Sequence, residues 1–266
     1  LCRETAIKTE IVTYPNLIPS TPIWQGEDIS DKVLYTYYEA GFGDMIMFAR
    51  YIPQLLKRCK KLIIKPQVQL TELLRENFPE VEVMDYFYEE KDLNFDVHIP
   101  FLSVPYVLGL KTDEMFTGRE GYLHADKEKV DYYKKAFFDN DKFKIGIKWQ
   151  GNTYYETSRV INVDAFSGLF DLKNVQVYSA QTFEGAKEFK KLEEKYNIVD
   201  LSKSFKNFSY TAAAIENLDL VICNDTSLAH LAGAMHKPCI VLLPYNYNWR
   251  WHTDLSYCDW YDSVKL

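Results

Sequence analysis

Apolar residues fall into two alternating rhythms along this chain. Short runs rich in Val, Ile, Leu and Tyr read as buried strands. Between them lie longer stretches in which apolar residues recur every three or four positions, the spacing of an amphipathic helix. In the first half, residues 32–38, 61–64, 81–84 and 95–99 read as strands. Residues 45–59 carry Ile46, Ala49, Ile52, Leu55 and Leu56 at helical spacing, with Pro53 predicting a kink. Residues 67–77 and a piece near 103–110 also read as helical. The first 30 residues show little period and hold Pro15, Pro19, Pro22 and Gly26, an irregular lead-in. A polar, turn-like segment at 118–126 and a helix at 127–138 lead to a break at Asp139-Asn140-Asp141. The same grammar then restarts. Strands are predicted at 143–149, 175–179, 198–201, 218–223 and 238–243, and helices at 163–170, 184–196 and 209–217. A further helix starts at Asp225-Thr226-Ser227, and the tail, 244–266, is aromatic and irregular. Strand–helix alternation predicts an α/β fold with parallel sheets, divided into domains 1–126 and 127–266. Two such halves leave a cleft between facing strand ends, where ligands of α/β proteins collect.

Composition narrows this picture. The chain has 266 residues, of which 47% are hydrophobic and 26% charged, the balance of a globular protein. A net charge of −7 argues against non-specific nucleic-acid binding, which needs a basic face. Cys2, Cys59, Cys223, Cys239 and Cys258 are scattered, odd in number and without a C-x-x-C, so a reduced, cytoplasmic setting is expected. No apolar run approaches the roughly 20 residues that span a bilayer, and the first residues lack a signal-peptide core. The chain opens without an initiator methionine and reads as the start of a fragment, so the native protein is expected to extend upstream.

The candidate chemistry sits at the predicted strand ends. Asp225, Thr226 and Ser227 follow a strand and open a helix. Their side-chain oxygens suit capping, and the free N–H groups there suit an anion. His230, one turn in, either helps neutralise a phosphate or hydrogen-bonds locally. Lys148 and Gln150 end the first strand of the second half, where a cation and an amide suit a diphosphate or a sugar. Arg159 reads as a surface arginine, with a second positive charge for that site as the alternative. Gln181, after the next strand, reads either as a nucleoside contact or as a turn residue. In the first half Gly41 and Gly43 let the backbone turn tightly and approach a ligand. Behind them Asp44 is either a helix cap or a catalytic base. His98, ending another strand, either orients an acceptor or is structural. The histidines His98, His124, His230, His236 and His252 show no paired ligand spacing, so no protein-bound metal and no cofactor are expected. Asp139-Asn140-Asp141 has the D-x-D form of metal-dependent sugar transferases, but between a helix and a strand it reads as a turn.

Several long motifs in order carry a resemblance. They are EAGFGDMIMFARYIP (39–53), DVHIPFLSVP (96–105), KIGIKWQGN (144–152), NLDLVICNDTSLAHLAGAMHKP (217–238) and LLPYNYNWRW (242–251). From Pro22 onward the chain resembles glycosyltransferase family nine, the heptosyltransferase-like enzymes. It resembles in particular the family's domains at the C-terminal end of bacterial tetratricopeptide-repeat proteins, so either an upstream repeat domain in the full-length protein or a stand-alone enzyme is expected. The resemblance implies a GT-B architecture: two facing Rossmann-like domains, with the nucleotide-sugar donor held mainly by the second. It implies inverting transfer without a metal. Asp44 matches the family's general base, and Asp225, Thr226, Ser227 and His230 match its donor-diphosphate site. Lys148 and Gln181 are looser matches on the donor side. The acceptor implied is a glycan, a lipid-linked sugar or a protein side chain. A non-catalytic binding module of the same fold, or a nucleotide-sugar epimerase, are the alternatives.

Overall fold

The computed structural model describes residues 21–85, 93–112, 114–151, 157–182, 185, 189, 192–251 and 257–266. The predicted helix at 184–196 falls partly outside them, and most of the lead-in, Asn152 and His252 lie outside.

The first half opens on β1 (Ile29–Tyr37). The helix predicted after it comes in two pieces, α1 (Phe42–Phe48) and α2 (Ile52–Leu56), joined by a 3₁₀ turn at Ala49–Tyr51. Pro53 sits at the start of α2, where its missing N–H costs nothing, so the break falls where the proline requires it. Then follow β2 (Cys59–Lys65), α3 (Thr71–Asn77), β3 (Glu82–Val83), β4 (Val97–Pro100) and α4 (Val104–Val107). The strands form one parallel sheet in the order β3-β2-β1-β4.

The second half begins with α5 (Lys127–Phe137), capped by the Asp126 carboxylate, which accepts from Lys129 N–H. After it come β5 (Phe143–Lys148), α6 (Ser167–Phe170), β6 (Val175–Ser179), β7 (Ile198–Asp200) and α7 (Phe208–Glu216). The chain then forms β8 (Leu220–Asn224), α8 (Ser227–Ala234), β9 (Cys239–Leu242) and β10 (Val264–Lys265). These strands make a second parallel sheet, β10-β9-β8-β5-β6-β7. The tail is therefore not wholly irregular: its last residues add a strand beside β9. Two residues are too few to show a period in sequence.

Helix α8 ends at a left-handed residue, His236 at φ 56°, whose N–H donates to Gly233 O while Lys237 N–H donates to Ala232 O. This is the usual way to satisfy terminal carbonyls. The segment between the halves runs along that helix end, with Tyr122 and Leu123 N–H both donating to Ala234 O.

One apolar core runs through both halves, from Trp24, Leu34 and Ile64 to Val221, Leu231, Trp251 and Tyr261. The returning tail helps to join them. Arg50, buried on the first-half side, donates to Trp260 O at 3.1 Å, and its guanidinium lies 5.0 Å from the centre of the Tyr261 ring. Among the described residues no helix is long and apolar enough to cross a membrane. Asp139–Asp141 forms a bend at the start of β5, where Asn140 Nδ2 donates to Tyr178 Oη at 2.9 Å. It lies at the opposite end of that strand from Lys148.

Candidate functional site

Strands β5 and β8 are parallel neighbours with Lys148 beside Cys223, so both end at one edge of the second sheet. Lys148 is 8% exposed. Its ammonium donates to Thr182 Oγ1 at 3.3 Å, and no carboxylate among the described residues pairs with it. Burial lowers its pKa to about 8, because the charged form is desolvated without a compensating anion.

At the same edge α8 begins. Thr226 occupies the cap position with extended backbone, but its side chain does not cap. The hydroxyl instead donates to Asn224 O at 3.3 Å. The expectation that these side-chain oxygens would satisfy the first N–H groups fails at Thr226: among the described residues the helix start has no side-chain acceptor, and Thr226 and Ser227 are only half-buried. The loop after β5 reaches this turn, since a Cβ on Gly151 would lie 3.0 Å from Thr226 Cγ2. Asp225 is 4% exposed. Its carboxylate pairs with Arg159 at 3.4 Å, and its carbonyl accepts from the same guanidinium at 3.2 Å. Asn224 Nδ2 donates to Arg159 O at 2.7 Å. Arg159 is thus pinned to the turn rather than loose on the surface.

Gln181 is buried with its amide fully spent. Its Oε1 accepts from Trp149 N–H at 3.1 Å and Gln150 N–H at 2.9 Å, while Nε2 donates to Gln150 O at 3.1 Å and Thr182 O at 2.9 Å. Two acceptor sites and two donors exhaust an amide. The nucleoside-contact expectation for Gln181 is therefore corrected: it clamps the end of β5 to the end of β6. Gln150 shares that clamp through its backbone.

Asp44 is the third residue of α1, and its Oδ2 accepts from Gly41 N–H at 3.0 Å, closing the helix start. The turn before it is held by Gln67 Nε2 on Ala40 O at 2.7 Å and by Leu102 N–H on the Glu39 carboxylate at 3.3 Å. Gly41 has ordinary extended backbone (φ −71°). At Gly43 a Cβ would stand 2.7 Å from His230 Cδ2 and 3.5 Å from Ser227 Cα. The missing side chain thus lets α1 meet the first turn of α8. The expectation that this glycine makes room for a ligand is corrected to close contact between two helices.

That contact brings Asp44 to the α8 start. The other Asp44 oxygen is paired with Arg250, from the segment after β9, and both side chains are largely buried. Arg250 Nη1 also donates to Asn248 Oδ1 at 2.7 Å, and Trp249 lies 5.2 Å from the guanidinium. Arg250 was quoted in sequence only as part of an aromatic motif. Its partner is 206 positions away, which no local spacing could reveal.

His230 is buried and stacks on Trp251 with ring centroids 5.3 Å apart, and its Nδ1 is 3.0 Å from Tyr261 Oη. Burial first, then Arg250, Arg50 and Arg159, lowers its pKa to about 3. A neutral imidazole cannot neutralise phosphate; local hydrogen bonding is what this geometry supports. His98 is also buried, within β4 rather than at its end, with Nδ1 3.4 Å from Tyr37 Oη. Burial lowers its pKa too. Among the described residues no three His, Cys, Asp or Glu side chains converge as a metal site.

Two parallel α/β sheets in one chain, with helix starts meeting across the junction, define the GT-B class of glycosyltransferase folds. Within it the likeness is to glycosyltransferase family 9 (heptosyltransferase), whose sequence profile matches residues 174–252. Protein FlbA of Caulobacter vibrioides is 23% identical over 275 aligned residues, covering 91% of this chain and 44% of FlbA. The chain thus spans less than half the length of that curated relative. The structure of a family 9 glycosyl transferase from Veillonella parvula superposes with a TM-score of 0.61 at 11% identity, covering 82% of this chain and 83% of that one. The dodecameric iron-containing heptosyltransferase TibC of enterotoxigenic E. coli, solved with ADP-D-beta-D-heptose, superposes with a TM-score of 0.57 at 13% identity. It is covered over 59% of its length and this chain over 81%. At these identities the likeness is one of fold.

Proposed function

We propose that this protein is an inverting glycosyltransferase that moves a sugar from a nucleotide-diphosphate sugar to a hydroxyl acceptor. In this reading residues 1–126 serve the acceptor and 127–266 the donor. The observation that carries it is Lys148, a buried lysine with no carboxylate partner among the described residues, at the sheet edge where α8 begins without a side-chain cap from Thr226. A buried cation without an anion is costly unless a ligand supplies one. Lys148 and the N–H groups at the start of α8 would hold the donor's diphosphate and stabilise the charge that grows on it as it leaves. TibC's complex with an ADP-heptose supports a donor of that chemical type.

Asp44 faces that start from the first half. As base it would take the acceptor's hydroxyl proton while the new C–O bond forms at the anomeric carbon and the bond to the diphosphate breaks. The reading routes no charge through a metal, because the cation and the helix start provide the compensation. Turnover unchanged by EDTA is expected.

The test is a panel of nucleotide sugars with sugar, lipid-linked and peptide acceptors, read as release of nucleoside diphosphate. Release by wild type and its loss in Asp44→Asn is the expected result. Interconversion of the donor with no acceptor present would make the protein an epimerase. No binding of any nucleotide sugar would sink the reading.

A further inference from the structure

Arg250 is built into the junction more closely than charge pairing alone requires. It reaches Asp44 from the other half of the molecule. Its neighbour Trp251 stacks on His230 of α8, and its charge is felt at that imidazole. Asp44 follows Gly43, whose backbone lies against Ser227 at the α8 start. The guanidinium therefore stands beside the same helix start to which the diphosphate is assigned above. Its hydrogen bonding is also incomplete: Nη1 serves Asn248, Nη2 serves Asp44, and the buried Nε has no hydrogen-bond acceptor among the described residues. A guanidinium fork matches phosphate as well as carboxylate, and a diphosphate carries more charge than Asp44.

We propose that Asp44 and the donor's diphosphate compete for Arg250, so that donor binding draws the guanidinium off Asp44 and releases its carboxylate for the acceptor. This inference rests on the donor reading above. Arg250 is in this scheme a positioning residue that couples donor occupancy to availability of the base. With one carboxylate oxygen held by Gly41 N–H and the other by Arg250, Asp44 is not placed to take an acceptor hydroxyl, so the exchange makes donor loading a precondition for proton removal. Water reaching Asp44 before the donor would then find no free base.

The test is a four-protein cycle titrated with ADP and with UDP by calorimetry: wild type, Asp44→Asn, Arg250→Met and the double variant. Arg250→Met is expected to weaken diphosphate binding about tenfold. Asp44→Asn, which frees Arg250, is expected to tighten it about tenfold, and to change nothing once Arg250 is gone. If Asp44→Asn tightens binding equally in the Arg250→Met background, plain repulsion between Asp44 and phosphate explains it and the competition is overturned. Four equal affinities would overturn it as well, while leaving the donor reading intact. If neither diphosphate binds wild type, the donor reading fails and takes the competition with it. Should Arg250→Met not fold, Arg250→Lys keeps the charge without the fork; there the gain from Asp44→Asn should shrink, and an undiminished gain would refute the proposal.

Discussion

Two lysines of the second half are drawn out of water in opposite ways. Lys129, on α5, donates to Glu72 at 2.5 Å, to Glu76 and to Ser209 Oγ at 2.9 Å. The carboxylates are themselves completed by Asn207 Nδ2 on Glu72 at 2.5 Å and Ser209 Oγ on Glu76 at 2.6 Å. Burial alone would lower the Lys129 pKa, but its hydrogen bonds to Glu72 and Glu76 override that and raise it. Lys148, more deeply buried, has one hydroxyl and, among the described residues, no acid, and is lowered. The two groups are chemically identical. What differs is whether the protein spends their hydrogen-bonding capacity internally. The first clamps α3 of one half to α5 and α7 of the other; the second is left with charge that a ligand can use.

The largest effect expected lies opposite Lys148, at the group that would use what it holds. Asp44→Asn should cut turnover about a thousandfold, in the range of a lost general base, while the nucleoside diphosphate still binds. Retained turnover would move the base elsewhere. Next comes Lys148→Met, which should weaken ADP or UDP binding about a hundredfold, as expected when the main cation facing a buried phosphate is removed.

The same lysine predicts a pH dependence. With its pKa lowered to about 8, the protonated form that attracts a diphosphate is lost as pH rises through that value. Wild-type affinity should hold below about pH 8 and fall by up to tenfold per unit above it, the slope for loss of one proton. Lys148→Met should remove the slope. Calorimetric titrations across that range read both effects. A slope that survives the substitution would assign the titration to another group.

The fold was legible because its parts obey local rules. Strand runs and helical spacing alternate, and Pro53 broke the first helix where a proline must. Asp44, Lys148 and the α8 start could be picked out because each follows a strand, where α/β ligands gather. What stayed hidden depends on residues distant in sequence. Gln181 looked available until its amide met the N–H groups of Trp149 and Gln150, 32 and 31 positions back. Gly43 looked like room for a ligand, but the space is taken by His230. Arg250 sat in an aromatic tail with nothing beside it to suggest an acid partner. Sequence spacing reported where groups are offered; only the assembled fold reported which of them are already spent.

The smallest effect on ligand binding should come from the spent lysine, and it sharpens the comparison most directly. Lys129→Met leaves Glu72 and Glu76 without their cation. Breaking a fully buried pair costs about 3–5 kcal/mol, but Glu72 is 41% exposed and Glu76 23%, so water screens what is left. A loss of about 1–2 kcal/mol is expected, between the buried and surface limits. The Glu72 carboxyl is lowered chiefly by its hydrogen bond to Lys129, so its contribution is present above its ordinary pKa and lost as pH falls below it. Thermal melts should therefore separate wild type from Lys129→Met clearly at neutral pH and converge as pH falls through the lowered Glu72 pKa. ADP affinity should stay within about twofold of wild type, because the clamp engages Glu72, Glu76 and Ser209 while Lys148 bonds Thr182, so the two lysines share no partner. If Lys129→Met lost diphosphate binding as severely as Lys148→Met, the difference between a spent and an unspent lysine would not be what separates structure from function in this molecule.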